Sequence, residues 1–191
     1  RELEMMPSRK HFSARRWVFC ALFSALLIAG AYIKIPMPLV PMTLQAQFAL
    51  LAGVLLGAVD GSLSVLVYIL LGLCGLPVFT GGGGIGYVLY PTFGYIIGFA
   101  AGAFAAGVIV QKSPAPTFWR ILCAQLVGLG LIYLLGVLYF GLIKTVVLHE
   151  QITLSKLIYS CFLLTLPNDL LLCTVGSLAA KRLLSVWKRM R

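Results

Sequence analysis

Long runs of apolar residues, separated by short polar or glycine- and proline-rich stretches, dominate the chain from residue 17 onward. A helix that crosses a membrane needs roughly 20 mainly apolar residues. On that criterion the pattern predicts six membrane-spanning helices, at 17–33, 43–59, 61–76, 88–110, 119–142 and 156–180. The second and third are short and are separated only by Asp60 and Gly61, so we expect a tight helical hairpin there.

The composition also indicates a membrane protein. Hydrophobic residues make up 61% of the 191 residues and charged residues only 10%, against roughly 25% charged in a soluble domain. A chain of this size cannot bury so much apolar surface in water. We therefore expect an all-α membrane bundle of six helices (17–184), with a basic N-terminal segment (1–16) and a basic tail (185–191).

The positive charges are distributed unevenly between the two predicted sides of the membrane. Twelve lie on the side of both termini and three on the other side, namely Lys34, Lys144 and Lys156. Because Lys and Arg concentrate on the cytoplasmic side, we expect a multi-pass protein of the cell membrane with both termini cytoplasmic. The net charge of +10 suits a lipid bilayer, and without an aromatic-interleaved basic groove it does not indicate nucleic acid.

Two of the predicted outward connections are apolar, yet they are unsuited to helix. The first carries Pro36, Pro38 and Pro41, and prolines at this density forbid a regular helix. The second contains four consecutive glycines, 81–84, between apolar flanks. Non-helical chain at membrane depth is buried in protein or lines a cavity. We therefore expect two apolar outer loops that cover a ligand pocket.

Asp169 is the carboxylate that the pattern places inside a span, next to Pro167. An ionisable residue at membrane depth is costly and usually functional. A purely structural pairing with Lys34 or Lys144 is the alternative. The glycines 81–84 allow positive φ and leave backbone N–H groups that can hold a carboxylate, although a merely flexible turn would look the same.

Two stripes of small residues recur every fourth position. They are Ala21, Ala25 and Ala29 on the first helix, and Gly94, Gly98, Gly102 and Ala106 on the fourth. Such stripes permit close helix contact in lipid. We expect the glycine stripe to pack inside the protein, whereas the alanine stripe suits either internal packing or another subunit.

Catalytic chemistry has little support in the sequence. His11 and His149 lie outside the spans, Asp169 has no carboxylate partner, and the five cysteines are scattered, so we expect no catalytic residue, no metal and no cofactor. The chain also lacks the doubled halves of a typical secondary carrier. A capture subunit energised by separate proteins fits these features best.

Four segments, in order and correctly spaced, resemble the biotin-specific substrate-binding components of energy-coupling-factor transporters, the BioY family. They are Ala21–Tyr32, Ile35–Gln45, Gly72–Phe79 with Pro91–Tyr95, and Pro167-Asn168-Asp169. The resemblance implies that biotin binds from outside. It also implies docking on an energising transmembrane coupling protein with two ATPase subunits, through Ala21 and Ala25. The chain departs from the family at Leu172, where a Lys is common, and at Asn168, where a Gly is common.

The resemblance and the chemistry of biotin together suggest a binding site. Asp169 would accept a ureido N–H, Gln45 or Asn168 would donate to the ureido C=O, and the glycine N–H groups or Lys34 would meet the carboxylate. The candidate ligand-binding residues are Asp169, Asn168, Gln45, Thr43, Val78, Phe79, Gly81, Gly82, Gly83, Gly84, Tyr87 and Tyr95. A component for another vitamin, a membrane-embedded enzyme and a structural subunit are the alternatives.

Overall fold

The structure is a computed structural model that describes residues 14–37, 39–150 and 153–189. Positions 1–13 of the predicted N-terminal segment, Pro38 of the first connection and positions 190–191 of the tail lie outside the described residues. Within them the helices are α1 (Ala14–Tyr32), α2 (Gln45–Leu56), α3 (Ala58–Leu73), α4 (Phe93–Gln111), α5 (Phe118–Leu142), α6 (Leu154–Ile158) and α7 (Leu166–Arg189). The fold is therefore helical, as predicted.

Irregular segments join these helices. The proline-rich connection forms a small antiparallel hairpin of β1 (Lys34–Ile35) and β2 (Met42–Thr43), in which Lys34 lies opposite Thr43. The glycine-rich connection ends in a 3₁₀ turn, Ile85–Leu89, and π-helical turns follow α5 and α6 at Ile143–Val147 and Tyr159–Leu163. In their described residues both connections thus lack α-helix, as predicted, although the second contains the 3₁₀ turn.

Four of the described helical segments are long and apolar enough to cross a membrane. They are Ala14–Tyr32, Phe93–Gln111, Phe118–Val147 and Ser155–Ser185. The helices α2 and α3 have 12 and 16 residues, which at a rise of about 1.5 Å per residue gives about 18 and 24 Å. Both are shorter than the hydrocarbon core of about 30 Å.

The hairpin between α2 and α3 turns at Gly57, so the predicted break at Asp60 and Gly61 is wrong. Gly57 has φ 95°, and a Cβ there would strike the Gln111 side chain, so glycine alone fits this turn. Asp60 instead lies in the first turn of α3 and forms an ion pair with Arg16 of α1. A carboxylate is favourable at that end of a helix because of the helix dipole.

Two other predicted helices differ from the structure at their boundaries. The fourth begins at Phe93 rather than at 88, because the 3₁₀ turn and Pro91 precede it. The predicted helix 156–180 is interrupted at Leu164 and Thr165, and α7 starts afresh at Leu166 with Pro167 in its first turn. Proline suits that position because its missing N–H would have no partner there.

The predicted internal role of the glycine stripe on α4 is confirmed. A Cβ at Gly94 would meet Tyr139, one at Gly98 would meet the Ile132 backbone, and one at Gly102 would meet the Gly128 carbonyl oxygen. On the opposite side of α4, Gly53 of α2 contacts the Ala103 backbone. The helix α4 therefore packs backbone to backbone against both neighbours.

Buried polar side chains connect α2, α5 and α7. Gln47 Nε2 donates to Gln125 Oε1 at 2.9 Å, and Gln125 Nε2 donates to Ser177 Oγ at 3.1 Å. All three residues are buried. Amide and hydroxyl groups need such partners away from water, so this chain of hydrogen bonds fixes the spacing of the three helices.

We expect Gly53→Ala to destabilise the fold strongly, because the new Cβ would overlap the Ala103 backbone, which cannot rotate away. Gly130→Ala on α5 is the matched control, since no atom lies within 4 Å of its Cβ position. Thermal unfolding in detergent should show a clear loss for Gly53→Ala and no loss for the control, where alanine gains about 0.5–1 kcal/mol of helix stability. Equal unfolding midpoints for the two variants would contradict the close contact of Gly53 with the Ala103 backbone.

Candidate functional site

A cavity lies between the proline-rich connection, the first half of α4, the middle of α5 and the start of α7. Its lining is mostly apolar, with a few hydroxyl groups, one amide and one carboxylate. The lining residues are Val40, Pro41, Met42, Thr43, Gln45, Ala46, Thr80, Thr92, Tyr95, Ile96, Phe99, Ile132, Tyr133, Thr165 and Asp169. Small-molecule sites typically combine an apolar wall with a few fixed polar groups in this way.

Asp169 provides the carboxylate of this cavity. It lies in the first turn of α7, where the helix dipole favours a negative charge. The Tyr133 hydroxyl donates to Asp169 Oδ2 at 2.6 Å and lies 2.7 Å from Thr165 Oγ1. Since a phenol has one proton, Thr165 donates to Tyr133 when Tyr133 donates to Asp169, in place of its longer bond of 3.3 Å to the Phe162 carbonyl. Three polar groups from α5 and the start of α7 thus form one directed chain ending on the carboxylate.

Neither lysine considered as a structural partner pairs with Asp169. Lys34 Nζ donates to the Thr80 carbonyl at 2.9 Å, and Lys144 pairs with Glu150 at 2.6 Å. In the described part of the chain the hydrogen bond recorded for the Asp169 carboxylate comes from neutral Tyr133. Among the described residues Oδ1 accepts no hydrogen bond of normal geometry, although the Asn168 side chain also interacts with this carboxylate.

Gln45 and Tyr95 contribute further polar groups to the lining. Gln45 Nε2 donates to Tyr68 Oη at 2.5 Å and to the Leu27 carbonyl at 3.4 Å, so both of its amide protons are used within the protein. Tyr95 donates to the Cys161 carbonyl at 2.9 Å. Its ring meets Tyr133 edge to face, with ring centroids 6.3 Å apart.

The glycine-rich connection is a compact turn rather than a loose one. Phe79 and Gly82 exchange two backbone hydrogen bonds of 2.9 and 3.1 Å, and Gly84 N–H donates to the Gly72 carbonyl at 2.7 Å. Among the described residues, the N–H groups of Gly81 and Gly83 have no backbone acceptor. Only these two of the four glycine N–H groups are therefore available to a ligand carboxylate.

The structure separates the predicted ligand-binding residues into four groups. Asp169, Gln45, Thr43 and Tyr95 line the cavity, whereas Gly81 and Tyr87 line an adjoining cavity. Val78 and Phe79 are buried in an aromatic cluster with Tyr68, Tyr87 and Phe93. The remaining candidates are Gly82, Gly83 and Gly84, which shape the turn, and Asn168, which is half-buried beside Asp169. Their roles in ligand binding stay predictions.

Sequence reasoning missed Tyr133 and Thr165, which hold the carboxylate in place. Thr165 lies four positions before Asp169 in the sequence, so its proximity to that carboxylate could have been predicted. Tyr133 lies on α5 in the sequence Leu131-Ile132-Tyr133-Leu134, where a hydroxyl in an apolar run was the available signal. A buried tyrosine hydroxyl needs a hydrogen-bond partner, but the sequence does not say which one.

A sequence profile of the BioY family matches residues 5–189, which is nearly the whole chain. The chain belongs to the BioY family. A probable biotin transporter BioY of Lysinibacillus sphaericus is 44% identical over 182 residues, covering 95% of this chain and 93% of that protein. A biotin transporter BioY of Rhodobacter capsulatus is 34% identical over 179 residues, covering 87% and 92%.

A solved structure agrees with this assignment. The crystal structure of the S-component for biotin from an ECF-type ABC transporter has a TM-score of 0.77 and 26% identity to this BioY-family chain. It covers 88% of this chain, and this chain covers 90% of it. The family resemblance in the sequence is thereby confirmed, as is the prediction of a membrane transport component rather than an enzyme.

Tyr133→Phe should destabilise this BioY-family protein, because the half-buried Asp169 carboxylate loses the hydrogen bond from Tyr133. A hydrogen bond to a charged group contributes about 1.5–3 kcal/mol to the free energy of unfolding, and one between neutral groups contributes about 0.5–1.5 kcal/mol. Tyr95→Phe, which loses only a bond to a carbonyl, is the matched control with the smaller expected loss. Thermal unfolding of both variants in detergent checks the order.

The same measurement in an Asp169→Asn background isolates the pair. The loss caused by Tyr133→Phe should shrink there, since the carboxylate is gone. An unchanged loss would mean that Tyr133 stabilises the fold through packing alone.

Proposed function

We propose that this chain is the biotin-binding component of an energy-coupling-factor transporter and takes up biotin through the cavity at Asp169. The observation that carries the proposal is a single carboxylate, held by neutral donors, in an otherwise apolar cavity of a BioY-family membrane protein. Placing a carboxylate at membrane depth costs free energy, so such residues usually have a function. Binding a polar ligand is the function that this cavity suits. The relatives and the solved neighbour are named as biotin proteins.

The ureido ring of biotin matches the polar groups of the cavity. It offers two N–H donors and one C=O acceptor, and the Asp169 carboxylate has lone pairs left to accept from an N–H beside its bond from Tyr133. Gln45, one predicted donor to the C=O, already uses both amide protons. Thr43 is better suited, because its Oγ1 accepts from the Gln45 N–H at 3.4 Å and keeps its own proton to donate.

We extend the proposal to membrane topology. The helices α2 and α3 would cross as the short hairpin at Gly57, with the non-helical connections making up the remaining thickness of the bilayer. That gives six spans with both termini cytoplasmic, as the positive charges favour. Both outer connections then lie over the cavity, to which they contribute Val40 through Thr43, and Thr80.

The partner surface is proposed to lie on α1. Ala21, Ala25 and Ala29 are exposed, so the smooth stripe is free to pack against another helix. Family resemblance assigns Ala21 and Ala25 to the contact with the transmembrane coupling protein, which works with two ATPase subunits. Small residues let helix backbones approach closely in lipid, where no hydrophobic drive between helices exists.

A component for another vitamin is the second candidate, and Leu172 favours it. Leu172 lies one turn beyond Asp169 on α7 and is half-buried. The family resemblance noted in the sequence implies that a Lys is common at this position. Losing that charge removes a group that could have recognised the ligand. Binding of labelled biotin in detergent, with unlabelled vitamins as competitors, separates the two candidates: displacement by biotin alone supports the first, and displacement by a different vitamin supports the second.

Asp169→Asn should weaken biotin binding by about 10- to 150-fold, which corresponds to about 1.5–3 kcal/mol for a hydrogen bond to a charged group. Asp60→Asn is the matched control, since Asp60 pairs with Arg16 away from the cavity. Equilibrium binding to the purified chain in detergent provides the comparison. Unchanged affinity in Asp169→Asn would remove the central contact of the proposal.

Ala25→Leu should reduce both biotin uptake and co-purification with the coupling protein, because a larger side chain keeps the two helices apart. A loss of about 1.4 kcal/mol in that contact lowers the association tenfold. Biotin binding to the isolated variant should not change. Val175→Leu, which enlarges a side chain exposed on α7, is the control. Uptake at the normal level in Ala25→Leu would mean that this stripe does not face the partner.

A further inference from the structure

A second cavity opens beside the one that holds Asp169. The two share Pro41, Thr80 and Thr92, so they lie side by side. The other residues that line the second cavity are Leu39, Gly81, Tyr87, Tyr90, Pro91, Phe140 and Lys144. Lys144 is the cationic residue in this lining, and the first cavity has none.

The Lys144 side chain is largely shielded from solvent, and its ammonium already has an anion. The side chain is 17% exposed, and its Nζ lies 2.6 Å from Glu150 Oε2. The Glu150 side chain is 55% exposed. The less exposed member of this pair thus lines the cavity, while its carboxylate partner lies at the surface and can move away without disrupting the core.

A closed turn brings Glu150 back over Lys144. Leu148 N–H donates to the Ile143 carbonyl at 3.0 Å, and Glu150 N–H donates to the Lys144 carbonyl at 2.9 Å. Between them His149 has φ 51°, in the left-handed region, which reverses the chain. The π-helical turn after α5 therefore carries Lys144, and the chain reversal that follows it holds Glu150 against the Lys144 ammonium.

The two cavities follow one another along α5. Tyr133, at the Asp169 end, and Phe140, beside Lys144, are seven positions apart on α5. A rise of about 1.5 Å per residue separates them by about 10 Å along the helix. The Lys144 side chain leans toward the helix N-terminus, back over Phe140 and the second cavity. A ligand with its ureido ring at Asp169 therefore directs its acid chain toward Lys144.

Other groups are less suited to the carboxylate. Lys34 donates to the Thr80 carbonyl, and the structure does not place it in the lining of either cavity. Lys156 lines a separate surface depression with Tyr159 and Leu163. The free N–H of Gly81 is in the second cavity and can assist, but it carries no full charge.

We propose that Lys144 binds the ligand carboxylate, and that Glu150 occupies the same ammonium when no ligand is present. Binding then exchanges one carboxylate for another, so Lys144 is never left as an uncompensated, shielded charge. The inference rests on the proposed function and names the residue that selects a free acid. An uncharged amide of the same ligand cannot displace Glu150 and gains nothing from Lys144.

The test compares biotin with biotinamide, in which the carboxylate is replaced by a neutral amide, in equilibrium binding to the full-length chain. Lys144→Gln should weaken biotin by about tenfold, the effect of one charge-assisted hydrogen bond, and leave biotinamide unchanged. Glu150→Gln should tighten biotin several-fold, because the internal competitor is lost, again without effect on biotinamide. The double variant should match Lys144→Gln.

Lys34→Gln is the matched control and should leave the preference for biotin over biotinamide intact. A preference that survives Lys144→Gln, or a biotin affinity that does not rise in Glu150→Gln, overturns the inference while leaving the proposed function in place. Binding of neither ligand by the unaltered chain would instead overturn the proposed function. Should Lys144→Gln fail to fold, the Glu150→Gln result decides.

Discussion

Backbone-to-backbone contact at small residues is the constraint on which the rest of the fold depends. In lipid no hydrophobic effect draws helices together, so packing and hydrogen bonds must do so. The helix α4 meets α2 where Gly53 touches Ala103, and it meets α5 where Gly98 faces Ile132. The contact of α4 with α5 also determines the cavity, because Tyr95 packs over Gly136 and its ring meets Tyr133.

The cavity exists because regular helix stops at two places that face it. The proline-rich connection contributes extended chain to one wall, and the break at Leu164 and Thr165 places Asp169 in a first helical turn rather than mid-helix. Irregular backbone at membrane depth is tolerated where it lines a cavity. A helix start also offers a favourable dipole for the carboxylate. The residues that interrupt the regular helices therefore also form the walls of the cavity.

Long apolar runs predicted the helices well, because composition alone is enough to indicate a membrane span. They misplaced the α2–α3 turn, since Asp60 looks like a loop residue until Arg16 is seen to pair with it across 44 positions. Asp169 was predictable because a lone carboxylate in an apolar run is rare. Its donor Tyr133 was not, because which helix faces which is decided by tertiary packing. The turn that brings Glu150 over Lys144 is likewise a matter of backbone geometry at His149.

The charges of the two neighbouring cavities bear on the orientation of the ligand that we propose. At one end the Asp169 carboxylate accepts from the neutral Tyr133 hydroxyl. At the other end the Lys144 ammonium pairs with Glu150, whose side chain is 55% exposed. Under our proposal, a molecule that is an uncharged N–H donor at one end and an anion at the other fits in one orientation only, since the reverse would set its anion against Asp169. Leu172, one turn beyond Asp169, adds no cation that could offset this repulsion.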